Sequence, residues 1–309
     1  MAGPKNEKQK HSYASSQLLN FARDSYLERT SRPVYAIVFL LPFIIFYELG
    51  TILINTDVLN HYPTRVVAFV WLQNFLERLG AGGRLAWVAP PLVVIVILAG
   101  LQIASRKQWY FWFGDYAPML FECICLAVPL IVLSLLFNSP VARPDNSAQF
   151  SRVDPPVQAT VVLERAASAE HAPAPAAQPV APRPTGHSLM TSIVTGVGAG
   201  IYEELVFRLI LICALMVLFQ DIMGLSHQNA VVLSIMISAA LFSAHHHIIW
   251  VDGQLGRSAP FNWTEFGFRT IAGVYFAVLF AIRGFGITAG THAFYDIIAT
   301  LVNVLFFAR

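Results

Sequence analysis

The sequence predicts an all-α fold, a polytopic transmembrane helical bundle of about seven or eight spans with a Pro/Ala-rich disordered linker in the middle. Three observations predict it. Hydrophobic residues make up 56% of the chain and charged residues 12%, with a mean hydropathy of +0.59, whereas ordinary soluble domains carry about 25% charged residues. Apolar stretches of spanning length recur in both halves. Between the halves, residues 139–187 place prolines at 140, 144, 155, 156, 173, 175, 179, 182 and 184 among alanines and scattered charges. Such a segment cannot bury a core and reads as a linker.

The first 32 residues form a basic tail carrying Lys5, Lys8, Lys10, Arg23, Arg29 and Arg32. By the positive-inside rule the N-terminus is expected to be cytoplasmic. No apolar segment follows a short basic start, so no cleavable signal peptide is expected. Residues 33–138 read as N-terminal membrane helices. Val34 to Ile54 supplies the first span, about 20 residues being needed to cross the hydrocarbon. Its Glu48 lies near the far end and is expected to reach headgroups. Arg65 to Leu79 repeats apolar residues at helical spacing but holds Gln73, Asn74, Glu77 and Arg78, which suits an interfacial amphipathic helix as well as a span. Trp87 to Ala104 is a span ending at Arg106 and Lys107, and Trp109, Tyr110, Phe111 and Trp112 read as an interfacial belt. Ala117 to Phe137 is another span, with Glu122 expected at the interface and Pro129 as a tolerated kink.

After the linker, residues 188–309 supply Leu189 to Phe219, Ala230 to Ile249, Phe268 to Ile282 and Ile287 to Phe307. Gly196, Gly198 and Gly200 in the first of these would let a neighbouring helix approach closely. Cys123, Cys125 and Cys213 all fall in apolar segments, so neither a disulfide framework nor a zinc knuckle is indicated. The formal net charge of +2, without a basic cluster interleaved with aromatics, gives no reason to expect nucleic acid. No internal repeat relates the halves, so an inverted-repeat transporter is not supported.

Three polar signals sit at membrane depth, where ionisable side chains are costly and usually functional. The first is Tyr202-Glu203-Glu204-Leu205-Val206-Phe207-Arg208. On a helix Glu204 and Arg208 share a face and pair, while Glu203 points about 100° away and is left for chemistry. The second is Phe242-Ser243-Ala244-His245-His246-His247 and the third His292-Ala293-Phe294-Tyr295-Asp296. A lone histidine on an apolar helix is usually structural. Three helices each bringing an acid or imidazole to lipid depth must find partners, and they are expected to find one another. The residue types suit amide or ester hydrolysis: Glu203 as base, one imidazole to hold the water and a second to face the developing oxyanion. Asp296, one turn beyond His292, would orient that imidazole.

The pattern resembles the CAAX prenyl protease and bacteriocin-processing (CPBP) family of intramembrane endopeptidases. Its three motifs are a glutamate pair with arginine four after the second, a phenylalanine with histidine four later, and a histidine with asparagine or aspartate four later. Here they read Glu203-Glu204 with Arg208, Phe242 with His246, and His292 with Asp296, and a helix bearing Arg269 and Gly273 precedes the last, as is common in the family. The resemblance covers about Ser188 to Phe307. It implies a catalytic membrane domain over 188–309 in which Glu203 and His246 activate water while His292 and Asp296 bind the tetrahedral intermediate. Glu204, Arg208 and Phe242 are supporting residues, and His245 and His247 are read as packing. Aspartate at 296 would repel an oxyanion directly and is expected to act through His292. The implied substrate is a hydrophobic or lipid-modified polypeptide in a membrane. No cofactor is required by this reading. The alternatives are a zinc metalloprotease, with the metal on Glu203, His246, His292 and Asp296, and a non-enzymatic membrane scaffold or immunity-type protein.

Overall fold

The computed structural model of the chain describes residues 21, 22, 24–55, 64–80, 85–137, 160–162, 186–251, 254–257 and 261–307. The tail before residue 21 and most of the linker lie outside them. The helices are α1 (Tyr26–Thr30), α2 (Pro33–Asn55), α3 (Val67–Arg78), α4 (Leu85–Ser105), α5 (Tyr116–Phe137), α6 (Gly186–Glu204), α7 (Cys213–Met216), α8 (His227–His245) and α9 (Trp263–Val302). Two short antiparallel pairs accompany them: β1 (Thr64–Val66) with β2 (Thr160–Val162), and β3 (Ile248–Val251) with β4 (Gln254–Arg257). Thus three residues of the expected linker form a strand, and the expected span from Ala230 to Ile249 stops as a helix at His245.

Six helices among the described residues are long and apolar enough to cross a membrane. The last, Trp263–Leu305, merges two segments across Gly284, whose φ of 74° and ψ of −179° are non-helical. An all-α multi-pass membrane bundle therefore stands, and the break falls between the two apolar stretches the sequence separates. Helix α6 runs on through π-helical turns at Leu205–Ile212 and Val217–Ile222, making one apolar rod from Leu189 to Ile222.

Helix α3, at 12 residues, is about 18 Å long and too short to span a core of about 30 Å. It buries Val67, Ala68, Phe69, Val70 and Leu72 and exposes Phe75. It is a half-docked helix rather than a crossing. Glu48 does not reach for headgroups: Arg65 approaches it at 3.2 Å and the Tyr202 hydroxyl donates to it at 3.2 Å. The reason is packing, since α2 lies against α6 and turns Glu48 into the bundle. Arg65 itself is buried, its guanidinium 4.5 Å from the Phe69 ring. Glu122 is likewise internal, accepting from Arg283 Nε at 2.6 Å and Nη2 at 2.8 Å and from the Tyr26 hydroxyl at 2.7 Å.

One end of the bundle carries a charge network. Arg29 pairs with Asp115 at 3.0 Å and Lys107 with Glu28 at 3.0 Å, joining α1, the end of α4 and the start of α5. Arg283, at the break in α9, also donates to Leu27 O, Ser31 Oγ and Thr30 Oγ1 at 2.8–3.0 Å. Helix α5 starts at this end and finishes at the opposite one, and α6, antiparallel to α2, begins there. At 1.5 Å per residue, His292 lies about 12 Å along the helix from Gly284, which is membrane depth.

Candidate active site

Helices α6, α8 and α9 meet tightly because small residues line their seams. A Cβ on Gly200 would stand 2.6 Å from Ala293 N and 2.9 Å from Ala289 O, so only glycine lets α6 lie this close to α9. Gly273 plays the same part between α9 and Ala239 of α8, at 3.0 Å. The close approach expected of the α6 glycines is thus present at Gly200, and Gly198 packs against the Tyr47 ring.

Between these helices lies a small cavity of about 40 Å³, whose polar lining is Glu203, His246, Arg269, His292, Tyr295 and Asp296. The structure therefore brings Glu203, His246, His292 and Asp296 to one space, among Phe242, Phe268 and Phe276. All four are buried.

The glutamates part as their helical positions require. Glu204 Oε2 is 3.1 Å from Arg208 Nε, both side chains fully buried. Arg208 also donates to Gly273 O at 3.3 Å and lies 4.2 Å over the Phe242 ring. Glu204 has a second partner that the sequence reading did not give it: its Oε1 is 2.8 Å from His292 Nδ1. His292 stacks on Phe276 at 4.5 Å and 17°, and its Nε2 lies 3.7 Å from Asp296 Oδ2. Both ring nitrogens of His292 thus face carboxylates, where the sequence reading left one for substrate.

Glu203 faces the end of α8. Its Oε1 is 3.6 Å from Nε2 of His245, a residue expected only to pack. The helix stops here, since His246 N donates to Ser243 O rather than one residue further back. That leaves the Phe242 carbonyl open at the helix end. Nδ1 of His246, at 2.9 Å, and Nδ1 of His245 both contact it. A carbonyl only accepts, so each Nδ1 carries a proton and each neutral ring keeps its lone pair on Nε2. Among the described residues, Glu203, His245 and His246 offer ligand atoms within 4.8 Å of one another. That set differs from the four ligands expected for zinc, because Glu204 engages His292. His247 packs on Phe261 at 5.1 Å.

Two contributions escaped the sequence reading. Trp71 of α3 stands 5.8 Å from the His245 ring, so the first half supplies part of the wall behind Glu203. Arg269, noted there only for its likeness to the family, lines the cavity. A lone arginine in an apolar helix was the signal that could have singled it out.

Such a chain is an integral multi-pass membrane protein with carboxylates and imidazoles gathered in a buried cavity. Residues 185–298 match the family model described as type II CAAX prenyl endopeptidase, Rce1-like. No curated protein and no solved structure matches the chain. The matched segment holds every motif named above, so this part of the chain is similar to the Rce1-like CAAX proteases.

Proposed function

We propose that the chain is an intramembrane endopeptidase that hydrolyses a peptide bond in a hydrophobic or lipid-modified polypeptide. The observation that carries the reading is the convergence of Glu203, His246, His292 and Asp296 on one cavity at membrane depth. The Rce1-like match over the same segment supports it. In the first reading no metal takes part. Glu203 and His246, whose Nε2 is an acceptor, hold a water molecule. The water oxygen attacks the carbonyl carbon, its proton passes to Glu203, and the π electrons move to the carbonyl oxygen. The C–N bond then breaks as Glu203 returns the proton to the leaving amine. His292, oriented by Glu204 and Asp296, borders the tetrahedral intermediate.

The test is Glu203→Gln, assayed for peptide cleavage in liposomes. A general base contributes about 10²–10⁴-fold, and a loss of that size with an unchanged melting temperature is expected. A membrane scaffold would bind its partner equally well with either residue.

A second reading is favoured by the grouping of Glu203, His245 and His246. Two imidazoles whose Nδ1–H is bound by a backbone carbonyl and a carboxylate beside them form a donor set that fits zinc. Zinc bound there would make a water molecule more acidic. The two readings separate on metal analysis and treatment with a strong chelator. Undiminished cleavage by metal-free protein supports the first, whereas loss of both bound zinc and activity in His245→Ala supports the second.

A further inference from the structure

We propose that Arg269 supplies the positive charge that stabilises the tetrahedral oxyanion, a role that rests on the peptidase reading above. The polar cavity lining consists of Glu203, His246, Arg269, His292, Tyr295 and Asp296. Ionised carboxylates only accept, which removes Glu203 and Asp296 as donors. His246 commits its Nδ1–H to Phe242 O, leaving an acceptor on the other nitrogen. His292 gives Nδ1 to Glu204, and its Nε2 lies 3.7 Å from Asp296. An oxyanion bonded to that nitrogen therefore stands close to a carboxylate. With asparagine at 296 this repulsion would be absent; with aspartate it needs a cation.

Two arginines come near, Arg208 fully buried and Arg269 half-buried, its side chain 14% exposed. Arg208 is consumed by Glu204, the Gly273 carbonyl and the Phe242 face, and does not line the cavity. Arg269 does line it, and is within Coulombic reach of Glu203, His246 and Tyr295. Its ion pair with Glu265, 3.4 Å away, involves a carboxylate that is 45% exposed. A planar guanidinium with five N–H donors still has donors to aim inward. The backbone that carries it is fixed one turn on, where Gly273 meets Ala239 and accepts from Arg208. The Tyr295 hydroxyl is the remaining donor, and it brings no charge.

The test uses full-length protein in lipid nanodiscs, an internally quenched farnesylated CAAX peptide as substrate, and the phosphinate analogue of that peptide as a stable tetrahedral anion. Arg269→Gln should lower kcat by about 10²–10³-fold with little change in KM, and should weaken phosphinate binding far more than peptide binding. Arg269→Lys should recover part of the loss. In an Asp296→Asn background the same Arg269→Gln change should cost less, because the carboxylate it offsets is gone. An unchanged kcat, a loss confined to KM, or a loss as large in the Asp296→Asn background overturns the proposal. Should Arg269→Gln fail to fold, Arg269→Lys reads the same effects at smaller size. Wild-type protein that cleaves no peptide fails the peptidase reading itself. Wild type that cleaves, with Arg269 variants that keep pace, fails this inference alone.

Discussion

Glu203 and Glu204 occupy neighbouring positions yet face different partners. Their separation was legible in the sequence, because helical geometry fixes both the pairing of Glu204 with Arg208 and the exclusion of Glu203 from it. The bond from Glu204 to His292 was not, since the two are 88 positions apart in the chain and only tertiary packing sets such a contact. Nor was the place of His245, which depends on α8 ending early enough to open the Phe242 carbonyl. Glu204→Gln would leave Arg208, fully buried, without its counter-charge. Breaking a buried pair in this way costs about 3–5 kcal/mol, and a correspondingly lower melting temperature in detergent is expected. Activity should fall too, because His292 loses its anionic partner.

At the scale of elements, hydropathy made the long helices readable, and glycine spacing marked the seam between α6 and α9. The short ones were less readable. Helix α3 has the pattern of an interfacial helix, but its neighbours bury its first turns, and amphipathic spacing alone does not say which surface a helix docks on. Glu48 and Glu122 were misplaced for the same reason: a carboxylate near the end of a span can face headgroups or an arginine on another helix. The seam gives a prediction. Gly200→Ala places a methyl group 2.6 Å from a backbone nitrogen, and overpacking of this kind costs about 1–3 kcal/mol. Because α6 must withdraw from α9, the change should depress cleavage more than Gly273→Ala, whose nearest contact is 3.0 Å. Parallel kcat and melting measurements check this.

For the whole molecule, the two membrane halves were expected as separate regions, and the charge network at one end joins them. Removing Glu122 by Glu122→Gln takes a charged partner from Arg283, an effect of about 1.5–3 kcal/mol for such hydrogen bonds, visible as a lower melting temperature. The same end has a pH response. Burial pushes the Glu28 carboxyl up, but hydrogen bonds from Arg32 and Lys107 outweigh it and hold it at about 2. A folded value below the unfolded one stabilises fully above about pH 4.5, and the gain is lost as pH falls through about 2. Hydrogen exchange in α1, corrected for intrinsic rates, should therefore speed up across that window and not between pH 5 and 8. Gly284 gives the join between halves a further meaning. Arg269 stands before that break and His292 and Asp296 after it, so the break separates two stretches that both line the cavity. The groups that pin Arg283 beside it, Leu27, Thr30, Ser31 and Glu122, all lie outside residues 185–298. The matched segment is thus braced from outside: the splint at the break between its two cavity-lining stretches belongs to the unmatched part of the chain.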